Sequence, residues 1–190
     1  GNFLIIAYKE LRRLEIKILQ QIHELESQVS IVFTQIKLSQ CYGIELDDFA
    51  HEMAILSLWL AEHQMNKEFV DELHDFGKAK PILPLKEAGH ITQGNATRLD
   101  WEIACPKAKN DEIYILGNPP YLGSRNQDKE QKDDMKIVFK KDYKSLDYVS
   151  CWFYKGARYI KDLNAQLAFV STNSICQGEQ VAITWSRILS

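Results

Sequence analysis

The segment Ile115-Leu116-Gly117-Asn118-Pro119-Pro120-Tyr121-Leu122-Gly123 leaves the chain very few ways to continue. An apolar run, "EIYILG", reads as a buried strand. It stops at an amide, followed by two residues with no backbone N–H to give to a ladder. Each proline fixes its own φ near −65°, and each pushes the residue before it toward extended backbone. Neither a helix nor more of a central strand can follow Gly117 directly. What remains is a rigid turn, or a rigid turn that aims the Asn118 side-chain amide and the Pro119 carbonyl at something beyond the strand.

The flanking sequence alternates between helical and extended patterns. Leu4, Ala7, Leu11, Leu14, Ile18, Ile22 and Leu25 recur at three- and four-residue steps, predicting a helix from residue 3 to about 28. A short apolar segment ending in "CYGIEL" predicts a strand that finishes near Leu46. Asp47 or Asp48 then caps a second helix with Phe49, Met53, Leu56 and Leu60 on its buried face. "FGKAKPILPLKEAGH", with two glycines and two prolines, is a connection. "HITQGNA" is a short strand and turn. After the Asn-Pro-Pro-Tyr turn comes a polar, charge-rich stretch, then a helix with Val149, Trp152, Phe153 and Ile160 on one face. "AQLAFVSTNS" is a strand and "GEQVAITWSRIL" a terminal helix. Apolar strands without strict period-two alternation, interleaved with helices, predict an α/β fold built on a parallel sheet covered on both faces.

Composition narrows the setting. The 190 residues are 45% hydrophobic and 26% charged, the profile of one globular domain. No apolar run is long enough for a membrane span, and the first residues show no secretory pattern, so no membrane partner is expected. Four dispersed cysteines with no CxxC pair read as reduced thiols in a cytoplasmic protein. The five histidines show no paired ligand spacing, and no metal site is expected. A net charge of −3 argues against a chain that grips nucleic acid by its own surface alone.

Ligands of parallel sheets bind beyond the carboxyl ends of the strands, and three of these ends carry suggestive side chains. Glu45 could accept both hydroxyls of a ribose, or be a solvated acid beside a helix start. Asn95 could read an adenine amino group, or be a turn residue beside Gly94. Asn118 offers more. An aromatic exocyclic amine is a poor nucleophile because its lone pair is delocalised. Methylating it requires acceptors that hold its two N–H hydrogens and present the lone pair to an electrophilic methyl. The Asn118 side-chain oxygen and the Pro119 carbonyl are two such acceptors, Pro120 stiffens them, and Tyr121 offers a face on which a flipped base could stack.

These residues resemble the catalytic motif of S-adenosylmethionine-dependent amino-methyltransferases. More narrowly, "GNFLIIAYKELRRLE", "YGIELDDFAHEMAILSLWLAEHQMN", "ITQGNATRLDW" and "GNPPYLGSRNQ" with "DYVSCWFYKGARYI…LAFVSTNSICQGEQV" resemble the N6-adenine DNA methyltransferases of the MmeI-like restriction-modification group, in that family's order. The resemblance implies a Rossmann-like class I methyltransferase fold and S-adenosylmethionine as cofactor. It also implies DNA with a flipped adenine as partner. Gly1, Asn2 and Phe3 would be the tail of the glycine-rich cofactor loop. Glu45 would hold the cofactor ribose, Leu46 would flank its adenine and Asn95 would contact the adenine amino group. Asn118, Pro119, Pro120 and Tyr121 would form the methylating motif, with Asn118 also close to the cofactor.

The family's first strand would precede Gly1, and its later strands and target-recognition region would follow. Residues 1–190 are therefore expected to be a single partial domain, weak in cofactor binding and inactive when isolated. The lysines at 129, 132, 136, 140, 141 and 144, interleaved with acids at 128, 130, 133, 134 and 142, predict a solvated helix rather than a DNA-binding face. Two other readings share some of these residues: a methyltransferase acting on protein glutamine or RNA bases, and a non-catalytic remnant or binding domain.

Overall fold

A computed structural model describes residues 2–25, 31–74, 76–79 and 89–189. The chain divides into two compact units, Gly1–Gln93 and Gly94–Ser190.

The first unit carries α1 (Asn2–Leu25), β1 (Val32–Phe33), β2 (Tyr42–Glu45), α2 (Asp48–Leu73), β3 (Gly77–Lys78) and β4 (His90–Gln93). β1 pairs with β3 and β2 with β4, both in parallel, with Glu45 opposite Gln93. α2 starts where the sequence predicts: the Asp47 carboxylate accepts from Ala50 N at 2.8 Å, satisfying one of the four orphan N–H groups of the first turn. α1 and α2 run side by side in the same direction, since Lys9 meets Gln64, Arg13 meets Glu68 and Gln20 meets Glu72.

The buried faces of these two helices differ from the expected ones. α1 buries Tyr8, Arg12 and Ile16, while Leu11, Leu14, Ile18, Ile22 and Leu25 are exposed. α2 buries Ala54, Leu58, Ala61, Met65, Phe69 and Leu73, and leaves Phe49, Met53, Leu56 and Leu60 exposed. The reason lies at the helix–helix seam. Arg12 is fully buried there, donating to Tyr8 Oη at 2.8 Å and Asn66 Oδ1 at 3.0 Å and lying over the Phe69 ring. Such a group can be buried only with its charge answered. Glu15 approaches its Nε at 3.4 Å. Small Ala54 and Ala61 sit on the buried side of α2, with large residues on the opposite face.

The second unit carries α3 (Trp101–Ala104), β5 (Glu112–Gly117), α4 (Lys129–Phe139), α5 (Ser150–Ile160), β6 (Asn164–Phe169) and α6 (Glu179–Ile188). β5 and β6 pair in parallel over six residues, from Glu112 opposite Asn164 to Gly117 opposite Phe169. Both strands alternate between half-buried and exposed residues. The sheet is thus not covered on both faces among the described residues, which corrects the buried-strand expectation. The half-buried face carries Ile113, Ile115, Ala165, Leu167 and Phe169, and its β6 part packs against α5. Gly156 of α5 approaches so closely that a Cβ there would stand 2.1 Å from Leu167 Cδ1. Phe153 of α5 meets Phe169 edge to face.

The parallel direction of every strand pair agrees with the sequence reading. The single continuous sheet does not: among the described residues the strands form three separate pairs. Among the described residues β2 pairs with β4 and β5 with β6, and neither β2 nor β5 has a partner on its other edge. α4 is the predicted solvated helix, opened by a capping box between Asp128 and Gln131. Its Lys129, Lys132 and Lys136 are exposed, but Asp134 is an exception, buried to 1% exposure.

Candidate functional site

The residues singled out by the sequence fall in two groups, one in each unit. In the first unit, Gly1 lies outside the described residues. Asn2 and Phe3 form the first turn of α1, where backbone N–H groups have no helical partner. The next residue, Leu4, approaches β2: its Cδ2 lies 3.8 Å from where a Gly43 Cβ would stand. Two residues further along β2, Glu45 closes the strand. One of its carboxylate oxygens accepts from Leu46 N at 3.1 Å, and the other has no protein partner among the described residues. Leu46 is 67% exposed.

In the second unit, the alternation of β5 runs on past Gly117. Asn118 continues the exposed series and Pro119 is buried on the covered side. All peptide bonds here are trans. Among the described residues Asn118 makes no side-chain hydrogen bond and Tyr121, 50% exposed, stacks on no other ring. The motif is nevertheless fixed at both ends. At its start, Gly117 O accepts from Val170 N at 3.0 Å. At its end, Leu122 N donates to Asp147 Oδ1 at 2.8 Å, and Leu122 O accepts from Tyr148 N at 3.0 Å and Gln127 Nε2 at 2.9 Å. The Leu122 side chain packs on the core of Met135, Phe139, Leu146 and Tyr148.

Asn95 begins the second unit, after Gly94, whose φ of +149° permits a turn that a side chain would strain. Its side chain is already engaged. Oδ1 accepts from Thr97 N at 2.9 Å and Thr97 Oγ1 at 2.7 Å, and Nδ2 donates to Asp134 Oδ2 at 3.0 Å. An adenine amino group would need the oxygen as acceptor, and that oxygen is taken. Asn95 retains one amide N–H, a donor, which suits a ring nitrogen instead. The turn role that the sequence also allowed is the one visible here.

Asp134 joins these elements. It accepts from Asn95, from Arg98 Nε at 2.6 Å and from Tyr148 Oη at 2.6 Å. Burial pushes its carboxyl up, but the bonds from Tyr148, Asn95 and Arg98 outweigh this and hold it below the ordinary aspartate value. Burial, and then the bond to Asp134, push the Tyr148 hydroxyl well above the ordinary tyrosine value. Asn95 is thereby tied through Asp134 and Tyr148 to Leu122, the residue after the motif. Lys155 of α5 pins the same turn by donating to Thr97 O at 2.9 Å and to Leu99 O.

Sequence reasoning missed Asp134, Asp147 and Gln127 as parts of the site. Two of them follow a run of charges, where acids are ordinarily solvated. Its place three residues before α5, where an aspartate suits the start of a helix, was the one signal that could have drawn attention to Asp147.

Comparison with known proteins identifies the family of the chain. The sequence model of the family described as "MmeI, DNA-methyltransferase domain" matches residues 1–190. The chain is 53% identical over 190 residues to DNA methyltransferase A of Bacillus subtilis (strain 168), covering 99% of this chain and 21% of that protein. It also superposes with a TM-score of 0.83 and 42% identity on the Type IIL restriction-modification enzyme MmeI solved in complex with DNA, covering all of this chain and 25% of that one. The chain thus spans about a fifth to a quarter of the length of these relatives. On the match across its whole length, it belongs to the family of MmeI DNA-methyltransferase domains.

Proposed function

We propose that this chain forms part of an S-adenosylmethionine-dependent methyltransferase that modifies adenine N6 in duplex DNA, within a restriction-modification system. We further propose that residues 1–190 are one partial domain of Rossmann-like class I fold, working in the cytoplasm. The observation that carries the reading is the end of β5. There an exposed amide with no partner among the described residues, a buried proline and a half-exposed tyrosine occupy a span fixed at both ends.

The residues at the end of β2 fit a nucleoside. Glu45 keeps one carboxylate oxygen for ribose hydroxyls, and Leu46 presents an aliphatic surface on which a purine can lie. Asn2 and Phe3 precede Leu4, which approaches that strand, and they open a helix whose first N–H groups can donate to a carboxylate. S-adenosylmethionine, when bound, supplies an electrophilic methyl group. The chain's own residues do the rest. The Asn118 oxygen and the Pro119 carbonyl accept the two hydrogens of the adenine amino group. This draws nitrogen toward tetrahedral geometry and frees its lone pair. Tyr121 stacks on the extruded base, replacing part of the stacking lost from the duplex. Phosphate contacts fall mainly to parts of the protein other than this chain, whose net charge is −3.

The test is methyl transfer from labelled cofactor to unmethylated duplex DNA by the enzyme carrying this chain, with the product mapped to the base. Asn118→Ala should lower turnover by about 10³-fold, the scale for removing one preorganised partner of the reacting group. Cofactor affinity should stay close to that of the unaltered enzyme. Turnover that survives the substitution, or label recovered on protein or RNA instead, would overturn the reading.

A further inference from the structure

We propose that Asp147 is a positioning residue for the methyl-transfer motif, with Gln127 as its second arm. The inference rests on the reading of Asn118 and Pro119 given above. Asp147 is 4% exposed and lies in no ion pair among the described residues. Its Oδ1 accepts from Leu122 N at 2.8 Å and from Val149 N at 3.2 Å, and its Oδ2 from Ser174 Oγ at 3.4 Å. Its own N–H donates to Gln180 Oε1 at 2.8 Å. The buried carboxylate thus links the residue after Tyr121 to the start of α5 and to the turn following β6, while the backbone N–H of the same residue reaches α6.

Steadying the turn that leads into α5 accounts for the bond to Val149 alone. The bond to Leu122 crosses 25 residues of sequence and serves no helix. Gln127 answers from the other side, its Nε2 donating to Leu122 O at 2.9 Å and to Leu146 O at 3.0 Å. Leu122 is therefore held at both its N–H and its carbonyl.

The consequence follows from backbone freedom. Between Gly117 and Leu122 the prolines fix two φ angles, and the remaining rotations decide where Asn118 Oδ1 and Pro119 O point. Val170 fixes the Gly117 end. If Asp147 lets go of the Leu122 end, the acceptors drift, and a displacement near 1 Å in a reacting geometry can cost about 100-fold in rate. Neither group touches substrate. Their effect reaches the chemistry through Leu122.

The test uses three variants of the enzyme carrying this chain, assayed per cofactor-binding site so that unfolded protein does not count. Asp147→Ala should lower kcat by about 100-fold with KM for DNA and cofactor changed less than about threefold. Asp147→Asn keeps an oxygen where Oδ1 stands, and should restore kcat to within about fivefold of the unaltered enzyme. Gln127→Met fills the same space without donors and should lower kcat by about tenfold. A merely structural role would lower the melting temperature and leave kcat per site unchanged. That outcome overturns the proposal. If Asp147→Ala does not fold, Gln127→Met decides alone, and an unchanged kcat again overturns it. Failure of the underlying reading looks different: Asn118→Ala would stay active whatever Asp147 does.

Discussion

The carboxyl ends of β2 and β5 are built in opposite ways. β2 ends in Glu45, whose carboxylate, among the described residues, accepts only from the next residue, and continues through the exposed Leu46. β5 ends in a motif whose following residue is held by Asp147, Gln127 and Tyr148. An end that binds by presenting a carboxylate and a flat aliphatic surface needs little support, because a ligand itself can order those side chains. An end that must aim two oxygens at one amino group cannot wait for the substrate to arrange it. Its geometry has to exist beforehand, and polar contacts supply it.

The sharpest way to break this contrast is to remove the joint behind β5. Asp134→Ala strips partners from the Tyr148 hydroxyl, the Asn95 amide and Arg98. Two of the three are left in a largely buried place, so unfolding stability should fall by about 3 kcal/mol. Chemical denaturation of the variant checks this. A loss below about 1 kcal/mol would show that the β5 end does not depend on the network.

Acid should reach the same joint without a mutation. The folded-state carboxyl of Asp134 is held below its unfolded value, so its contribution is complete above the unfolded pKa of about 4. That contribution is lost as pH falls through the depressed folded value. Denaturation midpoints between pH 7 and pH 2.5 should therefore drop more steeply in the unaltered protein than in Asp134→Asn, which cannot titrate at that position. Parallel curves would place the acid sensitivity elsewhere.

Much of the framework was legible in the sequence because its signals are local. Asp47 announced α2, the prolines announced the end of β5, and the runs around Tyr42–Glu45 and Asn164–Phe169 announced their strands. The buried faces of α1 and α2 were not. Both helices carry apolar residues on more than one face, so periodicity alone could not choose between them. The choice was made by Arg12, a residue that hydrophobic patterning places outside. The polar joints were hidden for a related reason. Asp134 and Asp147 sit beside charges that are solvated, and only the fold brings Asn95, Leu122 and Tyr148 to them. At Asn95 the sequence allowed a ligand contact or a turn, and its oxygen accepts from Thr97 within the turn.

The smallest expected effect tests the other side of the comparison. Glu45→Gln and Leu46→Ala alter groups that hold nothing but a neighbouring N–H and solvent, so each should change unfolding stability by less than about 0.5 kcal/mol. Cofactor binding should respond instead. A carboxylate accepts two ribose hydroxyls more strongly than an amide does, and Glu45→Gln in the enzyme carrying this chain should weaken cofactor affinity by about tenfold, as charge-assisted bonds are roughly twice as strong as neutral ones. Calorimetric titration against thermal unfolding separates the two quantities. If Glu45→Gln lowers the melting temperature as Asp134→Ala does, then Glu45 belongs to the scaffold. The two strand ends would then share one design instead of dividing the work between an open binding edge and a braced catalytic turn.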